Sequence, residues 1–146
     1  MNNIISDDFR FLMRKHQTLV QNYLSTLNLY MGQPRMLFQL KENPNISQSQ
    51  LSDILKISKE ATSVSIRRLE RNGFIERTDC VDDRRIKILK LSESGQKVVK
   101  ELRKNFDEIN SEMFTDLSNE ELKELKRMIK IMDKSLEKRL EDEKII

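Results

Sequence analysis

Residues 57–95 read ISKEATSVSIRRLERNGFIERTDCVDDRRIKILKLSESG, and this stretch decides the fold. Ser58 can cap a helix that runs to about Asn72, where Gly73 supplies the stop. The helical period divides that helix into a face for the core and a face for solvent. The core face holds Thr62, Ile66 and Leu69, and the other face holds Lys59, Glu60, Ser63, Val64, Arg67 and Arg71.

The second half of the stretch predicts a β-hairpin. Residues 74–78 and 86–91 are β-compatible runs, and they flank the polar segment 79–85. This segment forms a charged tip, because it contains the sequence Asp82-Asp83-Arg84-Arg85. Ser92 follows the second run and can cap a further helix.

A short helix is predicted before residue 57. Ser47-Gln48-Ser49-Gln50 fits a capping box, in which the serine hydroxyl accepts a hydrogen bond from a backbone amide and the glutamine reaches back. The helix is expected to run from about Ser47 to Leu55, with residues 56–58 as the connection to the next one. Two short helices joined by about three residues form a helix-turn-helix.

The N-terminal segment predicts a long amphipathic helix. Apolar residues recur at spacings of three and four from Ser6 to about Tyr30. We expect Gly32 to end this helix and Pro34 to lie in the first turn of a second, shorter one. The Asn-Pro-Asn sequence at residues 43–45 then breaks the chain.

Two more helices are predicted after the hairpin. Ser92 caps the first, and a second capping box at residues 118–121 opens the last. The residues expected to point inward on the last helix are Leu122, Leu125, Met128, Ile129, Met132 and Leu136. Long helices find little to pack against in a chain of 146 residues, so a partner chain is expected to bury their apolar stripes.

Composition narrows the class of protein. Charged residues make up 35% of the chain and there are only three Gly and two Pro, which favours a mainly helical fold with solvated faces. The net charge is only +3, but residues 56–90 carry ten basic and six acidic side chains. The positive surplus therefore lies in the helix-turn-helix and the hairpin, which favours a nucleic-acid partner.

Several classes of function are disfavoured. The N-terminus lacks the basic and apolar regions of an export signal, and no run of about 18 apolar residues occurs. Together with the lone Cys80, this predicts a cytoplasmic protein without disulfides. His16 and Cys80 are the only good soft-metal ligands, too few for a zinc site. No glycine-rich phosphate loop or nucleophile motif is present, so we expect neither an enzyme nor a cofactor.

Residues 57–95 resemble the signature of the MarR family of winged helix-turn-helix transcriptional regulators. The order of the predicted elements and the Gly-Gln-Pro-Arg sequence at residues 32–35 agree with that family. The motifs that carry the resemblance are Arg68-Leu69-Glu70-x-x-Gly73, Phe74-Ile75-Glu76-Arg77, Asp83-x-Arg85 and Leu91-Ser92-x-x-Gly95.

The resemblance implies a mainly α fold with a small β-hairpin wing and a single domain over residues 1–146. Residues 1–31 and 92–146 would form the dimerisation helices, and residues 33–91 the winged-helix, DNA-binding lobe. The expected assembly is a triangular homodimer. It would read a pseudo-palindromic operator in double-stranded DNA, most often as a repressor.

The helix after Ser58 is the recognition helix in this interpretation. Its outer face carries the types of side chain that read guanine, cytosine and the thymine methyl group in a major groove. We expect Arg71 on a phosphate. We expect base contacts from Lys59, Glu60, Ser63, Val64 and Arg67. The alternative is an ordinary solvated helix face.

The hairpin tip would act as the wing. In the family, the aspartate at the position of Asp83 braces the arginine at the position of Arg85, which enters the minor groove where narrow A·T tracts concentrate negative potential. Arg84, Lys87 and Lys90 are then expected on phosphates. An internal salt bridge without a DNA role is one alternative. A carboxylate metal site is disfavoured, because the adjacent arginines repel a divalent cation.

The family also implies an effector. Relatives often bind small aromatic or phenolic anions between the dimer helices and the DNA-binding lobe, which changes the spacing of the recognition helices. In this chain the candidates for such a pocket are His16, Tyr23, Tyr30, Met31 and Arg35. Alternatively, the tyrosines belong to the dimer core and Arg35 to a structural ion pair.

Two rival functions stay open: DNA binding without effector control, and a winged-helix module that binds protein. The basic surplus of residues 56–90 argues against the second. Some relatives sense peroxides through a cysteine in the first helix. Cys80 lies in the predicted wing instead, so we expect it to be an incidental surface cysteine.

Overall fold

The computed structural model describes the backbone of residues 2–144 and the side chains of residues 4–144. Within these residues the fold is mainly helical with a small antiparallel sheet, as predicted. In chain order the elements are α1 (Asn2–Thr26), α2 (Gln33–Glu42), β1 (Ile46–Ser47), α3 (Gln48–Leu55), α4 (Lys59–Arg71), β2 (Ile75–Asp79), β3 (Lys87–Leu91), α5 (Glu93–Phe114) and α6 (Asn119–Lys144).

The first helix ends earlier than the sequence predicted, at Thr26 and not near Tyr30. Asn28 has a left-handed backbone, with φ of 56°. The amide of Leu29 donates to the carbonyl of Leu24 at 2.9 Å, which is the long hydrogen bond of a Schellman motif. Leu24 and Leu29 are both buried, so the apolar contact of that motif is also present. Asn28 therefore takes the place that glycine usually has at the end of a helix.

Gly32 consequently has a different role from the predicted one. Its φ of 89° places it directly before α2, as the residue that redirects the chain. Pro34 lies in the first turn of α2, as predicted. The chain breaks at residues 43–45, also as predicted, with Asn45 in a left-handed conformation.

The helix-turn-helix forms as the sequence predicted. Ser47 and Gln50 make both hydrogen bonds of the capping box at the start of α3. Lys56, with φ of 53°, turns the chain between α3 and α4. The hydroxyl of Ser58 then accepts from a backbone amide and caps α4.

A buried hydrogen bond joins α3 to α4. Ser52 Oγ donates to Thr62 Oγ1 at 2.9 Å, and both side chains are almost inaccessible to solvent. Ile66 and Leu69 are fully buried on the same face of α4, which confirms the predicted core face. Around them lies a core to which α1, α2, α3, both hairpin strands and α5 all contribute.

The sheet has one strand more than predicted. β1 pairs antiparallel with β3 and gives the strand order β1-β3-β2, with Ile46 opposite Leu89 and Ser47 opposite Ile88. Two residues are too few to show the alternation that identifies a strand. Residues 46 and 47 form a strand only because the fold places them beside the edge of β3.

The hairpin itself is present with slightly shifted ends. Its strands pair from Ile75 opposite Leu91 to Asp79 opposite Lys87. Each strand begins one residue later than predicted, and Asp79 belongs to β2 and not to the tip. The tip is therefore residues 80–86.

The start of α5 lies against the end of α4. Ser92 Oγ accepts from the amide of Gly95 at 3.0 Å and so caps α5, as predicted. The same hydroxyl donates to the carbonyl of Gly73. A Cβ on Gly95 would lie 2.0 Å from the carbonyl oxygen of Phe74. Glycine at this position is therefore a requirement of packing.

The chain divides into two compact units, Met1–Ile109 and Asn110–Ile146. Helices α1 to α4, the sheet and α5 as far as Ile109 lie in the first. In the second, Ser118 and Glu121 form the predicted capping box at the start of α6.

The prediction that apolar residues of α6 point inward is wrong within this chain. No described residue of α6 is buried, and Leu122 and Leu125 are only half-buried. The other four of that stripe, Met128, Ile129, Met132 and Leu136, are 42–68% exposed. The stripe has helical spacing, but its own unit offers no surface that covers it. None of the described helices is both long enough and apolar enough to cross a membrane.

Candidate nucleic-acid interface

The outer face of α4 is open to solvent. It brings together the six residues predicted from the sequence to meet DNA. Five are exposed and Ser63 is half-buried. Arg67 Nη2 donates to Ser63 Oγ at 3.1 Å, which holds the guanidinium along the helix. Val64, 48% exposed, is an apolar group on a face that is otherwise polar or charged. The exposed residues are Lys59, Glu60, Val64, Arg67 and Arg71.

The tip of the hairpin presents one braced cation. Asp83 Oδ1 accepts from the backbone amide of Arg85 at 3.0 Å and from its Nε at 3.1 Å, and Asp83 Oδ2 accepts from Nη2 at 3.1 Å. The side-chain hydrogen bonds from Arg85, followed by the backbone one, lower the pKa of the Asp83 carboxyl below its usual value. The Arg85 side chain nevertheless stays 90% exposed. The brace therefore orients the cation without enclosing it.

Two lysines of β3 are ion-paired across the hairpin. Lys87 pairs with Asp79, and Lys90 Nζ lies 3.1 Å from Glu76 Oε2. Each pair is directly opposite in the register of β2 and β3. Both lysines were predicted to contact phosphates, and these carboxylate partners were not predicted, because the register of the hairpin decides them. Since exposed ion pairs are weak, a phosphate can still displace the carboxylates.

The wing, α3 and α4 enclose a small concavity of about 220 Å³. Its lining contains three cationic side chains, those of Lys59, Arg85 and Lys87. It also contains the first residues of α3, and the backbone amides at a helix N-terminus favour an anion. This arrangement suits a phosphate group. Gln48 and Ser49 had no assigned role in the sequence, although the capping box marked the helix start that exposes them. The lining residues are Ser47, Gln48, Ser49, Ser52, Lys59, Arg85, Ile86 and Lys87.

A further ion pair connects the wing to α4. Arg77 Nε, on β2, lies 3.2 Å from Glu70 Oε2 on α4, and both side chains are partly shielded from solvent. The turn at Gly73 brings them together. This contact was not predicted, because a spacing of seven residues indicates no contact without the geometry of that turn.

Two of the five candidates for an effector pocket, Tyr30 and Met31, line a common concavity. Tyr30 borders two open concavities of about 480 and 530 Å³ in the first unit. Met31 joins it in the larger one, whereas His16, Tyr23 and Arg35 line neither. The smaller concavity is lined by Ser25, Asn28, Leu29, Tyr30, Arg68, Arg71 and Asn72, and the larger by Gln21, Asn22, Leu24, Ser25, Leu29, Tyr30 and Met31.

The remaining candidates lie in different surroundings. Tyr23 is half-buried, and this burial raises the pKa of its phenol, with smaller contributions from the carboxylates of Glu101 and Glu108 on α5. His16 is also half-buried, and Arg35 is exposed. Tyr23 is therefore a neutral phenol at physiological pH.

Cys80 is more enclosed than the sequence predicted. It is half-buried just after β2, because its amide donates to the carbonyl of Ile86 at 2.9 Å and keeps it inside the closing turn of the hairpin. Among the described side chains, no three His, Cys, Asp or Glu residues are grouped so that they could hold a metal ion.

A helix-turn-helix followed by a β-hairpin, with a cationic outer helix face and a cationic tip, defines the class of winged-helix DNA-binding proteins. The family model described as "MarR family" matches residues 29–87, which span α2 to the start of β3. This segment therefore resembles the MarR family of transcriptional regulators.

Similar proteins extend over nearly the whole chain. The uncharacterized HTH-type transcriptional regulator YybA of Bacillus subtilis is 26% identical over 138 residues, which cover 94% of this chain and 91% of YybA. MepR, a transcription regulator of the Staphylococcus aureus multidrug efflux pump MepA, is 26% identical with a TM-score of 0.77, covering 90% of this chain and 97% of MepR. A MepR variant bound to an oligodeoxyribonucleotide is 27% identical with a TM-score of 0.68 and the same coverage.

Proposed function

We propose that this protein is a homodimeric, sequence-specific repressor that a small aromatic or phenolic anion releases from double-stranded DNA. The observation that carries the proposal is the pairing of two cationic elements in one unit: the open outer face of α4 and the braced Arg85 at the wing tip. Such a protein needs no cofactor, catalyses no reaction and acts on DNA in the cytoplasm.

The recognition helix supplies the base contacts. Arg67 suits guanine, Glu60 suits cytosine, and Val64 offers an apolar surface to a thymine methyl group. Lys59 and Ser63 add donors on the same face. Arg71, one turn beyond Arg67, binds phosphate.

The wing supplies the contacts outside the major groove. Arg85 enters the minor groove, where it favours narrow A·T-rich tracts. Asp83 takes part by holding it. Arg84 is exposed beside it and binds a flanking phosphate, and Lys87 does the same after exchange from Asp79.

Exposed apolar residues on the terminal helices support the homodimer. A helix face with many exposed apolar side chains marks an interface when it lies on a small chain. Residues 1–31 and 92–146 would then serve as dimerisation helices and residues 33–91 as the DNA-binding lobe of one functional domain. The exposed residues are Ile4, Ile5, Phe9, Phe11, Leu12, Met13 and Leu19 on α1, Met113 on α5, and Met128, Ile129, Ile131, Met132, Leu136 and Leu140 on α6.

A dimer would present two identical recognition helices to two half-sites about one DNA turn apart, so we expect a pseudo-palindromic operator. Occupancy of a promoter by such a dimer blocks transcription. Because the contacts are made by lysine and arginine, affinity is expected to fall steeply with salt.

The effector is the second part of the proposal. The two concavities at Tyr30 support it, since neither has an acidic residue in its lining and one contains Arg68 and Arg71. An anion there would change the position of the recognition helix relative to the dimer helices. His16, Tyr23, Met31 and Arg35 are the other residues proposed to respond to it.

DNA binding is tested by selecting duplexes from a random library with the purified protein, followed by fluorescence anisotropy at two salt concentrations. We expect an enriched, two-fold symmetric sequence that binds at least about a thousandfold tighter than scrambled DNA. Arg67→Ala should relax the base preference. Arg139→Ala removes one arginine from α6 and should leave it unchanged. Equal, weak binding to all duplexes would instead support a winged-helix module that binds protein.

The effector is tested by adding a panel of benzoates and phenols to the protein bound to its selected duplex. At least one compound should release the DNA and raise the thermal stability of the free protein. Met31→Asp places a carboxylate at the larger concavity and should weaken that response. Asn45→Asp, on the loop after α2, is the matched control. If none of the compounds releases DNA, the protein is a regulator without effector control.

A further inference from the structure

The segment between α1 and α2, residues 27–32, is held firmly on both sides. The left-handed Asn28 and the buried Leu29 fix its first half. In its second half the amide of Tyr30 donates to Gln33 Oε1 at 2.8 Å, and the amide of Gln33 donates to the carbonyl of Tyr30 at 3.1 Å. Gln33 is itself 1% exposed. The backbone of Tyr30 therefore has little freedom, although its ring is 58% exposed.

This segment meets the C-terminal end of α4 at two places. The guanidinium carbon of Arg68 lies 4.7 Å from the centre of the Tyr30 ring, within the range of a cation–π interaction. Asn72, the C-cap residue of α4, donates from Nδ2 to the carbonyl of Asn28 at 3.0 Å. The two contacts are one helical turn apart on α4. Together they connect the end of α1 to the end of the recognition helix.

Arg68 is adjacent to the face proposed to read DNA. It follows Arg67 directly in the chain and lies one turn from both Val64 and Arg71. Without an aromatic partner, an arginine at this position would adopt many rotamers beside the DNA. It would then lose much side-chain entropy on binding. Stacked on Tyr30, it is already ordered.

We propose that Tyr30 is a positioning residue for the recognition helix: its ring holds Arg68 and so sets the orientation of the C-terminal half of α4 toward DNA. The inference rests on the proposed DNA-binding function and deepens it. In this proposal the α1–α2 segment contributes to DNA affinity although Tyr30 does not contact DNA. It also means that a displacement of α1 is passed directly to the helix that reads the bases.

The test compares Tyr30→Leu, Tyr30→Phe, Arg68→Ala and the double variant Tyr30→Leu/Arg68→Ala in the full chain. Each is titrated onto the duplex that the wild-type protein selects, and each is checked for its unfolding temperature. Tyr30→Leu should weaken binding about tenfold, since the contact occurs once in each half of a dimer. Tyr30→Phe keeps the ring and should bind within about twofold of wild type.

Two further readouts separate positioning from general damage to the fold. The losses from Tyr30→Leu and Arg68→Ala should not add in the double variant, because the two side chains act as a pair. The dependence of log affinity on log salt should keep its slope in Tyr30→Leu, since no phosphate contact is lost, whereas Arg71→Ala should reduce it.

The inference is overturned if Tyr30→Leu binds as well as wild type, if Tyr30→Phe is as weak as Tyr30→Leu, or if the two single losses add. Those results leave the proposed function intact as long as the wild-type protein binds its selected duplex. If the wild-type protein selects no duplex, the proposed function fails and the inference fails with it.

Discussion

Asp83 and Arg85 are joined by three hydrogen bonds at the tip of the wing, with a single residue between them in the chain. A carboxylate beside a DNA contact repels phosphate, yet this one fixes the direction of an arginine that is 90% exposed. The guanidinium of Arg85 is thus already oriented before the protein binds DNA. Less side-chain entropy remains to be lost on binding.

Arg85→Ala is expected to weaken binding to the selected duplex about tenfold to a hundredfold, because it removes the minor-groove cation. Asp83→Ala leaves the cation but frees it, so its loss should be smaller, about threefold to tenfold. Fluorescence anisotropy measures both. Asp82→Ala, which removes the neighbouring carboxylate outside these three hydrogen bonds, is the control. Unchanged binding by Arg85→Ala at moderate salt would remove the wing from the mechanism.

The titration of Asp83 gives a test that needs no DNA. Because Arg85 lowers the pKa of this carboxyl, the brace is complete at neutral pH and is lost only as the pH falls through that lowered value. Carboxyl carbon NMR should show a midpoint below the ordinary aspartate value of about 3.9, and Arg85→Ala should raise it toward that value. DNA affinity should accordingly show no Asp83-dependent change between about pH 5 and pH 8. A midpoint that Arg85→Ala does not move would contradict the brace.

Gly95→Ala should destabilise the protein by about 3 kcal/mol, since the added Cβ would overlap the carbonyl of Phe74 and force α5 away from the hairpin. Urea unfolding measures the change. Ser94→Ala alters the exposed neighbour on the same helix turn and is expected to change stability by less than about 0.5 kcal/mol. Equal stability of the two variants would mean that the contact relaxes at no cost.

Thr62→Val tests the hydrogen bond that joins the two helices of the helix-turn-helix. The change keeps the shape of the side chain but removes one of the two acceptors of the buried Ser52 hydroxyl, which can still donate to the carbonyl of Gln48 at 3.2 Å. A loss of about 1 kcal/mol is therefore expected in the free energy of unfolding. Thr78→Val, at an exposed position of β2, is the matched control. The hydrogen bond has no role in stability if the two variants unfold at the same urea concentration.

The apolar stripe of α6 is tested by oligomeric state. Met132→Asp places a charge within the stripe and should raise the dimer dissociation constant at least about a hundredfold. Lys134→Asp introduces the same carboxylate on the opposite side of the helix and should leave the dimer intact. Sedimentation distinguishes a 17.4 kDa chain from a species of twice that mass. A dimer that survives Met132→Asp would exclude this stripe from the interface.

Local hydrogen bonding made much of this protein predictable. The capping residues Ser47, Ser58, Ser92 and Ser118 all cap the helices that they were predicted to open. A capping box is complete within four residues, so no distant part of the chain is needed to identify it. The buried and open faces of α4 follow from helical period alone.

Contacts between distant residues were not predictable in the same way. β1 exists because β3 lies beside it, and the cross-strand partners of Lys87 and Lys90 depend on the hairpin register. Glu70 meets Arg77 only after the turn at Gly73. Each of these contacts is decided by how complete elements pack.

The sequence by itself determined the helix-turn-helix, the hairpin with its charged tip and the resemblance to the MarR family, because these depend on capping, period and motifs that act over a few residues. Only the tertiary structure decided where α1 ends, that Tyr30 meets Arg68, and that the stripe of α6 lies open within the chain. The physical reason is the distance along the chain over which each interaction acts. A helix or turn is stabilised by neighbours in the chain, whereas burial and long-range pairing depend on which surfaces the completed elements bring together.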